Sequence, residues 1–298
     1  MSRIKGIGKV IFILIIGINM LFGKTNVSSL EGANFNEFIK KNKTVIVKFS
    51  APWCGACKLM KESYETIATE LTPSVAFAEV NTENEEKLAI VHKITSLPTV
   101  ILFKNGKEVD RYSGSLDEEE IAIFIDAKAV VSKYKERCIK RDALYCQKMA
   151  LLYDDGLGVN VNKKIAIKFY KKACDLGEVR SCFNIGYMYD LAEGVEEDNA
   201  KAVKFYREAC SKKHKIACHN LALMYKNGEG VNVDNNLSLQ LYKQACDLSY
   251  GDSCYNLGFI YSHGETVDKN LLIAKKYFIL GCSHNSDDAC EEAKKLIK

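Results

Sequence analysis

The chain is poor in proline, histidine and net charge, and each shortage excludes a class of protein. Three prolines and no low-complexity tract leave no candidate for a disordered linker. Five histidines lie scattered along 298 residues, so we predict no metal site, and we predict no cofactor. A formal net charge of +4 is too small and too dispersed to indicate nucleic acid or a polybasic membrane patch.

Long apolar runs are also missing, apart from residues 10–23, which follow Lys5 and Lys9. This run is shorter than the ~20 residues that cross a bilayer and is typical of a secretory signal. The segment Leu21-Phe22-Gly23 places a bulky residue where a cleavage site prefers a small one, so an uncleaved membrane anchor stays an alternative. We predict a signal peptide over residues 1–23 and a periplasmic or secreted protein, in a compartment where disulfides form.

Cysteine, in contrast, is abundant, and its spacing divides the chain in two. Two of the twelve cysteines lie in the segment Trp53-Cys54-Gly55-Ala56-Cys57. The other ten form pairs eight residues apart, and successive pairs are shifted by 36: Cys138/Cys146, Cys174/Cys182, Cys210/Cys218, Cys246/Cys254 and Cys282/Cys290. We predict that these ten brace a repeat array and that Cys54 and Cys57 carry chemistry.

The first part of the chain alternates strand and helix signals. The β-branched residues 45–50 predict a buried strand that leads directly into the Cys-x-x-Cys segment and a helix. Strands are predicted over 75–80 and 100–103, and Asn105-Gly106 predicts a hairpin to a strand over 108–112. A helix with an acidic first turn is predicted over 116–130. A lone Cys-x-x-Cys is also half a zinc site, but the other half is missing.

This pattern resembles the thioredoxin family, through the strand, the segment 53–58, Leu97-Pro98-Thr99, residues 103–106 and Gly114. The resemblance implies an α/β thioredoxin fold over residues 24–129, a central mixed sheet flanked by helices. It also implies a cis bond before Pro98 and thiol–disulfide oxidoreductase activity. A redox-inactive binding domain of the same fold is the alternative.

The resemblance and the position of the motif assign roles. Cys54, at the first turn of a helix, is expected to attack a substrate disulfide as a thiolate. Cys57, one turn deeper and less exposed, is expected to resolve the mixed disulfide. The expected substrate contacts are Trp53, Gly55, Ala56, Leu97 and Pro98.

One position pair departs from the family. Thioredoxins carry a buried acid before the motif and a lysine in the next strand, whereas this chain has Lys48 and Glu79 there. In the family this acid transfers the proton of the second cysteine, which corresponds to Cys57. We expect Glu79 to take over this transfer and Lys48 to favour nearby thiolates. The alternative is that Lys48 extends to solvent and Glu79 is a surface residue.

The second part, residues 130–298, repeats with a period of 36 residues. Each unit predicts a helix, a turn with Gly156, Gly228 or Gly264 (Ala192 in one unit) and a second helix. The tyrosines that recur with this period are predicted to belong to the packing between helices. Pairing cysteines 28 apart leaves Cys138 and Cys290 alone, whereas pairing those eight apart uses all ten and is favoured. We therefore predict an all-α solenoid of disulfide-braced helix hairpins.

This part resembles the Sel-like repeats, relatives of tetratricopeptide repeats, in their cysteine-rich bacterial Hcp branch. The branch includes proteins catalogued as β-lactamases or penicillin binders. Ser132 and Lys135 match a serine-x-x-lysine string, but its supporting motifs are absent and the string falls within the repeat pattern. Residues 115–155 contain no glycine or proline, which predicts a stiff junction between the two parts.

The favoured function is an exported thiol–disulfide oxidoreductase whose repeats recruit client proteins or a membrane redox partner. Its substrates are proteins with thiols or disulfides. A non-catalytic binding scaffold and, by family analogy alone, a β-lactamase are the alternatives. A further alternative is that the Cys54–Cys57 couple helps to oxidise homologous repeat proteins.

Overall fold

The computed structural model describes residues 26–296. The predicted signal peptide, residues 1–23, lies outside the described residues. The chain divides into two compact units, the first ending at Glu118 and the second beginning at Glu119. Between residues 26 and 296, no helix has both the length and the apolarity needed to cross a bilayer.

The first unit is a five-stranded mixed sheet flanked by helices, as the thioredoxin resemblance implied. Its elements are β1 (Val27–Ser29), α1 (Gly32–Lys41), β2 (Thr44–Ser50), α2 (Gly55–Leu71), β3 (Ala76–Asn81), α3 (Glu86–Val91), β4 (Thr99–Lys104) and β5 (Lys107–Ser113). The strands are ordered β1-β3-β2-β4-β5. Strand β3 pairs in parallel with β1 and β2, whereas β4 is antiparallel to both β2 and β5. Strand β2 therefore lies at the centre and delivers the Cys-x-x-Cys segment.

The predicted strands and hairpin are present. Residues 45–50 are all buried, as a central strand covered on both faces requires. Asn105 and Gly106 have φ values of 52° and 74°, the left-handed conformations that a tight two-residue hairpin turn needs. Strand β1 and helix α1 were not predicted from the sequence.

The helix predicted over residues 116–130 continues to Ile139 in the structure, but it is broken at Asp126. Helix α4 (Glu118–Ile139) contains non-helical backbone at Asp126, with φ −154° and ψ 81°. Asp126 Oδ1 accepts a hydrogen bond of 3.1 Å from the Ala129 amide, so the carboxylate caps the helical segment that follows. The helix predicted over 116–130 is thus interrupted, and the segment after the break belongs to the repeat pattern.

The remaining helices form antiparallel hairpins and a final single helix. They are α5 (Ala143–Asp155), α6 (Lys163–Asp175), α7 (Val179–Asp190), α8 (Asn199–Ser211), α9 (Lys215–Asn227), α10 (Asn235–Asp247), α11 (Gly251–His263), α12 (Leu271–Ser283) and α13 (Asp287–Lys295). Helices α5 to α12 pack as consecutive pairs, and α13 packs against α12 and α11. This is the predicted all-α solenoid.

Two features of each hairpin recur with the 36-residue period: the residue that ends the first helix and the residue that caps the second. Gly156, Gly228 and Gly264 end the first helix of three hairpins in left-handed backbone with φ of 76–78°. The glycine exception, Ala192, also has a positive φ, of 55°. The second helix of each hairpin begins after a side chain that accepts a backbone N–H three residues later. These capping residues are Asn162, Asp198, Asp234 and Asn270.

The recurring aromatic residues form the interior of the array, as predicted. Tyr170, Tyr206 and Tyr242 are at most 1% exposed. The Tyr170 hydroxyl donates to Asp154, 2.9 Å away. One repeat later the Tyr206 hydroxyl donates to Asp190 at the same distance. Burial is the main cause that raises the pKa of all three phenols, to about 12 for Tyr242, so they stay neutral and serve packing.

Candidate functional site

The Cys54–Cys57 pair lies where β2 ends and α2 begins. The two sulfurs are joined in a disulfide, with Cα atoms 5.2 Å apart. Cys54 is the N-cap residue of α2, and its Sγ accepts a 3.1 Å hydrogen bond from the Cys57 amide. A helix N-terminus offers free N–H groups and a partial positive charge, both of which stabilise a thiolate. When the bond is reduced, this environment favours a thiolate on Cys54.

The two cysteines are buried to nearly the same degree. Cys54 is 6% exposed and Cys57 is 5% exposed. The difference has the expected direction but is small in the disulfide form, because the bond holds both cysteines in one cluster with Ala51. Ala56 and Leu97 pack against this cluster.

The surface beside the pair is open and partly apolar. Trp53 is 69% exposed, and beyond the adjacent residues and the backbone of its own helix nothing lies within 4 Å of the position that a Cβ on Gly55 would take. A shallow cavity of about 260 Å³ adjoins Trp53, lined also by Thr82, Ala89, Ile94, Thr95, Ser96 and Leu97. Pro98 follows a cis bond, as the resemblance implied, but it is buried beneath the surface. The accessible apolar surface is therefore formed by Trp53 and the half-buried Leu97, and Pro98 is not part of it.

The exchanged charges form a pair behind the cysteines. Lys48 and Glu79 are direct neighbours across the parallel strands β2 and β3, and Lys48 Nζ lies 3.1 Å from Glu79 Oε1. The Lys48 side chain is 2% exposed, so the alternative in which it extends to solvent is wrong. Glu79 is 38% exposed and accepts a second hydrogen bond, from Ser50 Oγ.

This pair shares a cavity with Cys57. The cavity, of about 440 Å³, is lined by Lys48, Ser50, Cys57 and Glu79 among others. Glu79 and Cys57 therefore border the same volume, which is large enough for several water molecules.

Two residues of this region were missed by sequence reasoning. Ser50 lies two residues after Lys48, and side chains two apart in a strand share a face, which is a signal that could have found it. Tyr64 contacts the pair from α2, with Lys48 Nζ 4.9 Å from its ring centre. Burial raises the pKa of Tyr64 well above its ordinary value, and the Glu79 charge adds to the increase. Tyr64 is therefore a neutral wall beside the ion pair.

All ten repeat cysteines form the bridges favoured from their spacing. Every bridge joins cysteines eight residues apart, with Cα–Cα distances of 4.4–4.9 Å: Cys138–Cys146, Cys174–Cys182, Cys210–Cys218, Cys246–Cys254 and Cys282–Cys290. Each connects the second helix of one unit to the first helix of the next. Glu208 lies near Cys174 and Cys182, but these sulfurs are bonded to each other and offer no thiolate to a metal.

The serine-x-x-lysine string is an exposed part of α4. Ser132 and Lys135 both lie on the surface of this helix. Their positions fit the outer face of a repeat helix.

Comparison with known proteins assigns both parts of the chain. The thioredoxin family profile matches residues 26–127, and the Sel1 repeat profile matches 143–178, 179–214, 215–250 and 251–286. The thioredoxin of Mycoplasma pneumoniae is 38% identical over 101 residues, which cover 34% of this chain and 96% of that protein. Protein disulfide isomerase-like 1-3 of Arabidopsis thaliana is 36% identical over 104 residues, which cover 35% of this chain but only 18% of the relative.

The repeat region is also similar to a solved structure. The crystal structure of a protective antigen present in uropathogenic Escherichia coli strains, described as displaying an SLR fold, superposes with a TM-score of 0.54. The two are 27% identical, and the match covers 56% of this chain and 36% of that one. With the Mycoplasma relative covered almost completely, the chain belongs to the thioredoxin family through residues 26–127 and carries four Sel1 repeats after it.

Proposed function

We propose that this protein is an exported thiol–disulfide oxidoreductase that acts through a mixed disulfide at Cys54. The main support is the Cys54–Cys57 disulfide at the N-terminus of α2, beside the exposed Trp53. The relatives named thioredoxin and protein disulfide isomerase support this class of activity.

The proposed reaction uses two exchange steps. In the reductive direction, the Cys54 thiolate attacks one sulfur of a client disulfide, forms the mixed disulfide and releases the other client sulfur as a thiolate. The Cys57 thiol then loses its proton and attacks Cys54 Sγ, which reforms the Cys54–Cys57 bond and releases the second client thiolate. Two electrons pass from the protein to the client. The oxidative direction is the reverse of these steps.

Glu79 is the proposed acceptor of the Cys57 proton. Cys57 and Glu79 line one cavity, so a water molecule there could connect the thiol to the carboxylate. Lys48 and Ser50 hold the carboxylate in place by an ion pair and a hydrogen bond. In this proposal Lys48 also favours the thiolate of Cys57 by its positive charge.

The client is proposed to dock on the apolar surface beside Cys54. Trp53 and Leu97 line the 260 Å³ cavity there, and the surroundings of the Gly55 Cα are open. Ala56 packs against the cysteines and completes the floor. The repeats are proposed to recruit client proteins or a membrane redox partner in the periplasm or outside the cell.

The first experiment tests the activity itself. The reduced protein is mixed with insulin, and disulfide reduction is followed with a small dithiol as the electron source. We expect activity from the native chain, none above background from Cys54→Ser, and accumulation of covalent client adducts with Cys57→Ala. The variant Cys210→Ala/Cys218→Ala, which lacks a repeat bridge, is the control and should stay active. An inactive native chain across a broad range of redox buffers would reject the enzymatic function.

The second experiment tests the role of Glu79. We expect Glu79→Gln to slow the release of the mixed disulfide by about tenfold near neutral pH, because an amide cannot accept the proton. The matched control is Glu65→Gln, since Glu65 lines the same cavity but lies next to Lys61, 4.0 Å away. Equal rates for both variants from mildly acidic to mildly basic buffer would reject the assignment.

A further inference from the structure

Four of the five repeat bridges are closed to solvent once the array is folded. In four of the five bridges, each cysteine is at most 3% exposed: Cys138, Cys146, Cys174, Cys182, Cys210, Cys218, Cys246 and Cys254. Only the last bridge, Cys282–Cys290, is partly exposed. Thiol–disulfide exchange needs in-line access of one sulfur to another, so a catalyst can reach the eight buried cysteines only before the helices pack.

An unfolded copy of the chain presents the same short signature five times. An aromatic residue stands four positions before the first cysteine of each pair: Tyr134, Tyr170, Tyr206, Tyr242 and Phe278. Three positions after that cysteine the folded chain has a positive φ: at Arg141, Gly177, Lys213, Ser249 and Asn285. The backbone reverses there and brings the two cysteines together. One recognition site could therefore serve all five pairs.

The surface beside Cys54 has the chemistry to bind such a segment. Its 260 Å³ cavity is lined by Trp53, Ala89, Ile94 and Leu97, together with small polar residues. A cavity with this lining accepts an aromatic side chain. In the unfolded client the aromatic residue is exposed, whereas in the folded repeat it is buried. The signature is therefore accessible only while a pair still needs its bridge.

We propose that the substrates of the Cys54–Cys57 disulfide are the unfolded Cys-x7-Cys segments of a second copy of this chain. This inference rests on the proposed oxidoreductase function and names its substrate class. The client is a second copy because a folded chain has all ten repeat cysteines in bridges and has none left to oxidise. Its Cys54–Cys57 disulfide can still oxidise the repeats of another chain.

The proposed transfer takes place in two thiol–disulfide exchange steps. A client thiolate, such as Cys210, attacks Cys54 Sγ, which breaks the Cys54–Cys57 bond and leaves Cys57 as a thiolate. The second client thiolate, Cys218, attacks Cys210 Sγ and releases Cys54 as a thiolate. The two client thiols give their protons to solvent when they form thiolates, and the released Cys54 and Cys57 thiolates take up protons from solvent according to their pKa. The client loses two electrons, and the Cys54–Cys57 couple gains them. A small-molecule disulfide such as glutathione disulfide then reoxidises the couple by the same two steps.

Folding gives this exchange its direction. As the new bridge becomes buried between helices, it is removed from attack by the Cys54 thiolate. The forward reaction is therefore drawn to completion by folding of the client, even if the two disulfides have similar reduction potentials.

The test uses full chains in trans. The client is Cys54→Ser/Cys57→Ser, reduced and unfolded, then diluted into refolding buffer with glutathione disulfide. Native protein is added in small amount, and loss of the ten client thiols is followed by alkylation and mass spectrometry. We expect about tenfold faster bridge formation than in buffer alone, and a clearly smaller acceleration for reduced ribonuclease A. Added Cys54→Ser/Cys57→Ser in the folded form is the control.

The outcomes separate the two proposals. Activity on insulin without acceleration of the repeat client would overturn the substrate assignment and leave the oxidoreductase function standing. Equal acceleration of the repeat client and ribonuclease A would also overturn the assignment, since it shows no preference for the signature. No activity on any of the three would overturn the function and this inference with it.

Discussion

The ammonium group of Lys48 lies 3.1 Å from the Glu79 carboxylate, and only 2% of the lysine side chain reaches solvent. Removal of the acid leaves a buried positive charge with no counter-ion. We expect Glu79→Gln to lower the free energy of unfolding by about 1–3 kcal/mol, less than for a fully buried pair because Glu79 is 38% exposed. Lys48→Met should cost less, since it removes the charge and keeps the apolar stem.

Urea unfolding of both single variants and the double variant Lys48→Met/Glu79→Gln measures the coupling. The sum of the two single variants' losses in unfolding free energy should exceed the loss of the double variant by about 1 kcal/mol. Strictly additive losses would show that the pair contributes nothing to stability.

The repeat bridges allow a second prediction. Cys210→Ala/Cys218→Ala opens a short loop in the middle of the array, and we expect a loss of about 2–3 kcal/mol in the free energy of unfolding. Cys282→Ala/Cys290→Ala is the matched variant at the end of the array, where repeats follow on one side only. In a linear array its effect on cooperativity should be smaller. Thermal and urea unfolding check both, and equal broadening of the transition would contradict the nearest-neighbour account.

A third prediction concerns the close approach of Gly186 to Tyr206. A Cβ on Gly186 would lie 2.6 Å from a ring carbon of Tyr206, and one on Gly258 would lie equally close to Phe278. Tyr206 is fully buried and bonded to Asp190, so its ring has little room to move. We expect Gly186→Ala to destabilise the array by about 1–3 kcal/mol through overpacking.

The control for this prediction is Gly258→Ala, because Gly258 faces Phe278 as Gly186 faces Tyr206. In Gly258→Ala the neighbouring ring is a phenylalanine without a hydroxyl to hold it, so the loss should be smaller than in Gly186→Ala. Unfolding in urea compares the two. A stabilising effect of Gly186→Ala would mean that helix propensity outweighs the contact.

The repeat architecture could be derived from the sequence because its signals are local and recur. The cysteine pairs recur every 36 residues, and the pairing of those eight apart was favoured because it alone uses all ten; the three glycines at the turns mark the same helix ends each time. The hairpin at Asn105 and Gly106 was predictable for the same reason, since both residues tolerate the positive φ that the turn needs. Local chemistry alone determines these features.

The environment of Lys48 could not be derived in this way. A lysine within a strand either reaches solvent or is buried with a partner, and only the packing of helices on both faces of β2 decides between them. Ser50 donates to Glu79, 29 residues further along the chain. The Tyr64 hydroxyl donates to the carbonyl oxygens of Ile46 and Ala78, which lie 18 and 14 residues away and precede Lys48 and Glu79 in their strands. Strand β1 was missed because three residues with mostly exposed side chains carry no periodic signal.

The last prediction concerns His219, which lies half-buried between two repeats. Its Nδ1 is 2.8 Å from Ser253 Oγ, and the rings of Tyr242 and Tyr250 pack at its edges. Burial lowers the pKa of His219, and the opposing effect of Asp252 is smaller. The unfolded chain therefore binds a proton more readily than the folded chain, so stability is lost as the pH falls through about 6.5 and then levels off below the folded pKa.

The array itself supplies the matched substitution. Gln147 occupies the position of His219 two repeats earlier, and Ser181 stands there in place of Ser253. We expect His219→Gln to keep the stability of the native chain above neutral pH and to lose less of it on acidification. Part of the acid effect should remain, because burial also lowers the pKa of His92 and His214. Urea unfolding between about pH 5 and pH 8 checks this, and identical pH profiles for the two chains would show that His219 titrates alike in the folded and unfolded states.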